Sequence, residues 1–309
     1  MAQTRRSLIR GLCGLAALAP LATPGAASVI APVGAAALEG AEGAAEFAAL
    51  LRRAASAVPN PDARTRAAVA GTLARLEEFP VNRAQGRLVL ANIPAAEVIA
   101  YRDGREVLRS RAIVGAGRTR TPRLASFVPS VRLNPPWYVP ASIAPTVNAS
   151  SGLFRRVNGT LVQPPGPRNP LGPIRIGLED SNGVFLHGTS DPRLFARERR
   201  ALSHGCVRVE RVLDLAAWVL DMRPEVLAAA VATGRTRELI PPFEVRVALV
   251  YLTAWPGHDG RLLVYPDLYG LDRQSKPDVP RRAPPRPAAP PSPEPEPPVE
   301  HSASLGGPG

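Results

Sequence analysis

Between Leu88 and His187 the chain consists largely of short apolar segments, each of which ends at turn-forming residues. The clearest pair, 97–101 and 106–108, flanks Asp103-Gly104, a dipeptide that readily adopts the left-handed backbone of a tight hairpin. Further predicted strands are 88–93, 110–114, 126–133, 174–178, 183–187 and 244–251. Many short strands with turns between them predict a fold that is mainly β with helices (α+β).

Helical periodicity is confined to two parts of the chain. Residues 28–80 are rich in Ala and Glu, and apolar residues recur at helical spacing on both sides of Pro59-Asn60-Pro61. This pattern predicts a helical N-terminal segment of two helices packed on the strands. Later, an apolar stripe beginning near Val209 predicts a buried helix, and Pro224 and Gly234 mark the first and last turns of another.

The two ends of the chain have distinct compositions. Arg5-Arg6 and the residues up to Arg10 fit a twin-arginine export pattern, followed by an apolar stretch too short to span a membrane. Residues 1–27 are therefore predicted to be a signal peptide that directs the protein to the periplasm or cell envelope, with a Sec signal as the alternative. Residues 273–309 are rich in proline and predict a disordered tail.

The net charge is +12, which would favour polyanionic partners such as an acidic cell-wall polymer. The sequence has no interleaved basic and aromatic residues and no zinc-finger spacing, so nucleic acid is not an expected partner. Gly115-Ala116-Gly117 lacks the third glycine and the following helix of a dinucleotide-binding loop, so no nucleotide is expected either.

Cys206 is the cysteine that remains once the predicted signal peptide is removed, because Cys13 lies within that peptide. An unpaired thiol in an oxidising compartment, with His204 and His187 in the same part of the sequence, is a candidate nucleophile. A zinc site at these three residues is the alternative, but no fourth ligand is evident.

The hexapeptide Ser203-His204-Gly205-Cys206-Val207-Arg208, separated from His187 by fifteen residues, resembles the signature of the L,D-transpeptidase (YkuD-type) catalytic domain. The resemblance covers roughly residues 70–272 and is strongest to the YcbB-like subgroup. The segments that carry the subgroup resemblance include 89–94, 134–144, 169–172 and 250–255. It implies a β-sandwich-like catalytic domain, assigned here to residues 81–272. The sequence departs from the subgroup at two points. Tyr138 stands where the subgroup usually has Asn, and the subgroup's N-terminal peptidoglycan-binding module has no counterpart in the sequence.

The resemblance implies a role for each residue of the motif. Cys206 would be the nucleophile and His187 the general base, with the backbone carbonyl of Gly188 orienting the imidazole. The backbone amides of Gly205 and Cys206 would stabilise the oxyanion. A helix beginning just after Cys206 would help to lower the pKa of the thiol. No metal and no cofactor are required.

A second group of residues is expected to bind substrate, and each member has a structural alternative. The group comprises Ser203, His204, Arg208, Trp137 and Tyr138. The first two could instead bond the loop backbone, Arg208 could pair with Glu210, and Trp137 could lie in the core. The arginines at 193, 197, 199 and 200 could attract substrate carboxylates or form a solvated helix face.

The expected function is that of a monomeric peptidoglycan L,D-transpeptidase acting on stem peptides. It would form 3-3 cross-links through a Cys206 acyl-enzyme with release of D-Ala. Water as the acceptor would make the protein an L,D-carboxypeptidase or endopeptidase, and a protein amine would attach an envelope protein to the wall. A wall-binding protein without turnover is the alternative outside enzymes.

Overall fold

The computed structural model describes residues 44–78, 86–273 and 281–282. The predicted signal peptide and most of the proline-rich tail lie outside these residues. The α-helices are α1 (Ala44–Ser56), α2 (Ala63–Glu78), α3 (Val212–Val219) and α4 (Pro224–Ala232). None of the helices in the described ranges is long and apolar enough to span a membrane.

Seventeen strands are found in the described residues. They are β1 (Arg87–Asn92), β2 (Glu97–Arg102), β3 (Arg105–Gly115), β4 (Leu124–Phe127), β5 (Val131–Leu133), β6 (Trp137–Tyr138), β7 (Arg155–Val157), β8 (Thr160–Gln163), β9 (Ile174–Ile176), β10 (Leu186–His187), β11 (Ala201–Ser203), β12 (Val207–Val209), β13 (Arg237–Leu239), β14 (Val245–Val250), β15 (Ala254–Pro256), β16 (Leu262–Val264) and β17 (Arg281–Arg282).

Most of these strands belong to one curled sheet. Its order is β13-β5-β9-β10-β12-β3-β2-β1-β14-β4-β17, and β11 pairs with β3. Val89 and Leu249 from one half share a buried cluster with Ile176 and Leu186 from the other half, and Leu215 of α3 joins them. The two halves therefore enclose one core, and the prediction of a mainly β fold with helices is confirmed.

The two predicted N-terminal helices are present and pack on the outer face of the sheet. Alternation along β1 turns Val89 toward the shared core and Leu88 toward the helices. Phe47 of α1 and Leu76 of α2 join the cluster of Leu88, and the ring of Phe47 meets that of Trp255 edge-on at 4.7 Å. β1 is therefore buried on both faces.

Local turn chemistry was predicted well, and strand continuity less well. Asp103 and Gly104 have φ values of 48° and 82°, which confirms the hairpin between β2 and β3. β3 is one strand where two had been predicted. Residues 126–133 form two strands, β4 paired with β14 and β5 paired with β9. The break falls at Pro129, which has no N–H to donate to a neighbouring strand.

Candidate active site

Two paired strands place the candidate nucleophile and base on one face of the sheet. Val207 and Val209 of β12 point into the core, so alternation turns Arg208 and the preceding Cys206 to the opposite face. β10 runs parallel to β12 with His187 opposite Arg208. The structure thus brings three residues of the predicted site together on that face.

The Cys206 thiol is free, partly exposed and donates to the carbonyl oxygen of Gly183 at 3.6 Å. Burial raises the pKa of Cys206, while a main-chain hydrogen bond from Phe185 and the positive charges of Arg175 and Arg208 act in the opposite direction. Because burial is the largest effect, the resting group is a neutral thiol at neutral pH.

The His187 imidazole is buried and neutral. Burial, followed by the positive charge of Arg208, lowers the pKa of His187 to about 3. The carbonyls of Leu171 and Gly188 lie near the ring and oppose this shift, yet Nδ1 makes no hydrogen bond of normal geometry to either. A Cβ on Gly188 would come within 3.1 Å of Pro173, so a larger residue there would require the neighbouring side chain to shift. The orienting role of Gly188 stays a prediction.

Hydrogen bonds within the loop fix the backbone before Cys206. Ser203 Oγ donates to the Cys206 carbonyl at 2.5 Å and accepts the amide of Gly205 at 3.2 Å. Gly205 has a φ of 118°, which a side chain would strain. The hydroxyl of Ser203 therefore shapes the loop, and the Gly205 amide must leave it before serving an oxyanion. His204 is exposed.

A second loop, residues 115–121, clamps the first, and the sequence did not indicate it. Thr121 Oγ1 accepts the amide of Gly115 and donates to the carbonyl of Gly205, both at 2.8 Å. Thr119 Oγ1 donates to the carbonyl of Ser203 at 2.8 Å. A Cβ on Gly115 would lie 2.2 Å from the Thr119 carbonyl oxygen, so this glycine serves close packing within the loop.

The clamp is itself held by residues near the end of the described chain. The Tyr269 hydroxyl donates to the Gly115 carbonyl at 2.8 Å and accepts the amide of Thr121 at 3.1 Å. The amide of Tyr269 donates to the hydroxyl of Tyr251 at 2.8 Å, and the guanidinium of Arg75 lies 5.3 Å from the Tyr251 ring. Helix α2 is thus connected to the loop of Cys206.

One electrostatic expectation was wrong. No helix begins just after Cys206, because β12 intervenes and α3 begins at Val212. A helix N-terminus therefore does not lower the pKa of the thiol. The alternating Val207 and Val209 could not be distinguished from a helical stripe over so short a segment.

The remaining candidates lie elsewhere on the described part of the chain. Trp137 and Tyr138 form β6 in a separate sheet with order β6-β8-β7, where Trp137 packs on Phe154 with ring centroids 6.2 Å apart. The Tyr138 side chain is exposed. Neither residue has a hydrogen bond or ring contact with Cys206 or His187.

The arginine run at 193–200 is not a helix face, because Pro192–Ala196 is a short 3₁₀ turn. Arg193 is exposed and pairs with Asp191, whereas Arg200 donates to the carbonyls of Ala95 and Ala112 and ties backbone segments together. As for the zinc alternative, residues 44–78, 86–273 and 281–282 contain no group of three His, Cys, Asp or Glu that could hold a metal ion.

The family model for the YkuD L,D-transpeptidase catalytic domain matches residues 86–247, which include both Cys206 and His187. The chain belongs to the YkuD family. A Haemophilus influenzae protein named as a candidate L,D-transpeptidase is 31% identical over 223 residues, which cover 60% of this chain and 45% of the relative. The matched region thus spans less than half of that relative.

Two solved YkuD structures are also similar. An L,D-transpeptidase from Mycobacterium smegmatis is 17% identical, with a TM-score of 0.33, and the match covers 55% of this chain and 61% of that one. The L,D-transpeptidase (Yku) from Stackebrandtia nassauensis is 13% identical, with a TM-score of 0.28 and coverage of 67% and 77%. Similarity at this level supports no argument about the site.

Arg175 of β9 lies next to the candidate site, and sequence reasoning did not select it. It pairs in register with His187 from β9, on the side opposite Arg208, and its positive charge acts on Cys206. No local signal marks it, because the pairing depends on the register of strands joined by a loop.

Proposed function

We propose that the protein is an exported peptidoglycan L,D-transpeptidase that forms 3-3 cross-links through a Cys206 acyl-enzyme and releases D-Ala. The observation that carries the proposal is the placement of Cys206 and a buried, neutral His187 on the same face of two paired strands. A neutral imidazole can accept the thiol proton, which is what a nucleophilic cysteine requires. Family membership supports the reaction class.

The first half-reaction is acylation. His187 takes the proton of Cys206 as the sulfur attacks the carbonyl between the diamino acid at stem position three and D-Ala at position four. The tetrahedral intermediate collapses, its C–N bond breaks, and the imidazolium gives the proton to the departing amine of D-Ala. Arg175 and Arg208 both disfavour an imidazolium at His187, which promotes this return of the proton.

The second half-reaction resolves the thioester. His187 accepts a proton from the amine of a neighbouring stem peptide as that amine attacks the thioester carbonyl, and the C–S bond then breaks to regenerate the thiol. The backbone amides of Gly205 and Cys206 are the proposed donors to both oxyanions. The product is a 3-3 link between two stems. The location of the protein in the periplasm, which it would reach through a twin-arginine signal in residues 1–27, is part of this proposal.

The test is mass spectrometry of disaccharide-tetrapeptides incubated with the purified protein. We expect free D-Ala and a 3-3 linked dimer, and a loss of at least about 100-fold with Cys206→Ser at an unchanged melting temperature. Tripeptide as the sole product at high acceptor concentration would replace the proposal with an L,D-carboxypeptidase. Binding without any turnover would indicate a wall-binding protein.

A further inference from the structure

A row of five polar side chains, four of them charged and the fifth the neutral His187, crosses five adjacent strands. In order from β13 to β12, this charged row consists of Glu238, Arg132, Arg175, His187 and Arg208. Each member is the register partner of the next, so all five side chains leave the same side of the sheet.

The arginines of the charged row differ in how they are neutralised. Arg132 forms an ion pair with Glu238 at 2.5 Å. In the described part of the chain Arg175 and Arg208 form no hydrogen bond or ion pair, and the Nε atom of each is buried without a partner. These two guanidiniums therefore differ from that of Arg132 in having no acidic partner and a buried Nε without a hydrogen bond.

Nearby acids do not compensate these charges. Asp191 is the acid whose charge acts on Arg208, but its carboxylate is bound by Arg193 at 2.9 Å. Glu238 acts on Arg175 only from a distance, since it is bound to Arg132. One positive charge without an acidic partner thus lies on each side of His187.

The position of Arg175 is fixed by packing. Its guanidinium carbon lies 4.6 Å from the centroid of the Phe185 ring, and that ring meets His187 edge-on at 5.3 Å. Contact with the ring holds the guanidinium in place. Burial lowers the pKa of both Arg175 and Arg208, and buried donors without partners cost free energy that an anion would recover.

We propose that Arg175, together with Arg208, binds the C-terminal carboxylate of the stem peptide whose last residue Cys206 releases. This inference rests on the proposed function. Three covalent bonds join the carbonyl carbon attacked by Cys206 to the carboxylate carbon of the terminal residue. A peptide held for attack therefore brings that carboxylate to the guanidiniums beside the thiol, and planar guanidinium groups bind carboxylates through paired hydrogen bonds.

Arg175 is therefore a specificity-determining residue, which favours stem peptides that end one residue after the scissile bond. An amidated terminus presents a neutral group at the same place and loses the charged hydrogen bonds. Such bonds contribute about 10- to 100-fold in binding, so the free acid is expected to exceed the amide by this factor in kcat/KM.

The experiment compares two tetrapeptide stems, one ending in D-Ala and one in D-alaninamide, with the full chain carrying Cys13→Ser. Release of the terminal residue is followed by mass spectrometry, and the rate of Cys206 alkylation by iodoacetamide reports the state of the thiol. In Arg175→Gln, kcat/KM for the free acid should fall about 10- to 100-fold. For the amide, and for alkylation, the fall should be clearly smaller, because only the effect of the Arg175 charge on Cys206 and His187 is lost there.

Arg132→Gln is the matched control, because Arg132 lies in the same row one strand away and is already paired with Glu238. It should keep the wild-type preference for the free acid. Arg175→Lys keeps the charge without the planar guanidinium and should show an intermediate preference for the free acid. This variant tests the proposal if Arg175→Gln has a lower melting temperature than wild type.

Three results would overturn the inference. Equal losses on both peptides, or a large fall in alkylation, would make Arg175 a stabiliser of the thiolate. If Arg132→Gln also lost the preference for the free acid over the amide, that preference would come from the general charge of the row. Wild-type protein that releases nothing from either peptide would remove the proposed function along with this inference, whereas the first two results leave that function standing.

Discussion

At the residue scale, the site combines a thiol and an imidazole that are both neutral at rest. Burial raises the pKa of Cys206 and lowers that of His187 to about 3, so an ion pair between them is not the resting state. The sequence was sufficient to select these two residues because their motif is local. It could not select Arg175, whose place beside His187 depends on strand register.

The pKa of His187 predicts how stability depends on pH. The unfolded chain takes up a proton at this residue near pH 6.5, while the folded chain does so only near pH 3. Stability is therefore lost as pH falls from about 6.5 toward 3, with a slope approaching about 1.4 kcal/mol per pH unit. Denaturant unfolding at pH 7, 6 and 5 measures this slope.

His187→Gln should remove that part of the slope, even if the variant is less stable throughout. His204→Gln is the matched control, because it removes an exposed histidine that lies outside the buried position. A wild-type slope retained in His187→Gln would show that His187 is not the buried neutral group described.

At the element scale, local chemistry was predictable and long-range pairing was not. The Asp103-Gly104 hairpin follows from residues adjacent in sequence, and the structure contains it. The clamp of residues 115–121 on the Cys206 loop joins positions 84 residues apart, and threonine at 121 carries no signal of that contact by itself. The position of β12 before α3 was missed because three alternating residues fit either element.

The clamp can be tested with Thr121→Val, which keeps the shape of a buried side chain and removes its hydroxyl. The Gly115 amide and the Gly205 carbonyl would lose their shared partner, at a cost of about 1–3 kcal/mol. Displacement of the Cys206 loop should also slow D-Ala release by about 10-fold or more. Thermal melting and release assays measure the two effects.

Thr160→Val supplies the matched control, since Thr160 is an exposed strand residue of the small sheet. Both assays should be close to wild type in that variant. Normal D-Ala release by Thr121→Val would mean that the clamp contributes stability without positioning Cys206.

At the scale of the whole molecule, the family match and the folding unit have different bounds. The match ends at residue 247 and begins at 86, yet α1 and α2 cover the outer face of β1 and β2. From the other end, Asp272 pairs with Arg75 of α2 at 2.5 Å, with both side chains buried. Residues on either side of the matched region are thus parts of the structure that holds Cys206.

We therefore predict that a chain of residues 86–273 does not fold stably, whereas a chain of residues 40–273 melts like the full protein. Without α1 and α2, Leu88, Leu90 and Ile99 are exposed together with Tyr101 and Trp255. Each such side chain contributes about 1.5–3 kcal/mol when buried, and several together approach the typical stability of a whole domain, about 5–15 kcal/mol.

Calorimetry and binding of a hydrophobic dye distinguish the two chains, and a point variant tests the same packing without truncation. Phe47→Ala should cost about 3–5 kcal/mol, because the ring is buried against Trp255. Arg52→Ala on the exposed side of α1 should cost little.

A cooperative transition for residues 86–273 at the wild-type temperature would show that the helices are accessory. A lower melting temperature for residues 40–273 would instead assign a stabilising role to β17 or the residues around it.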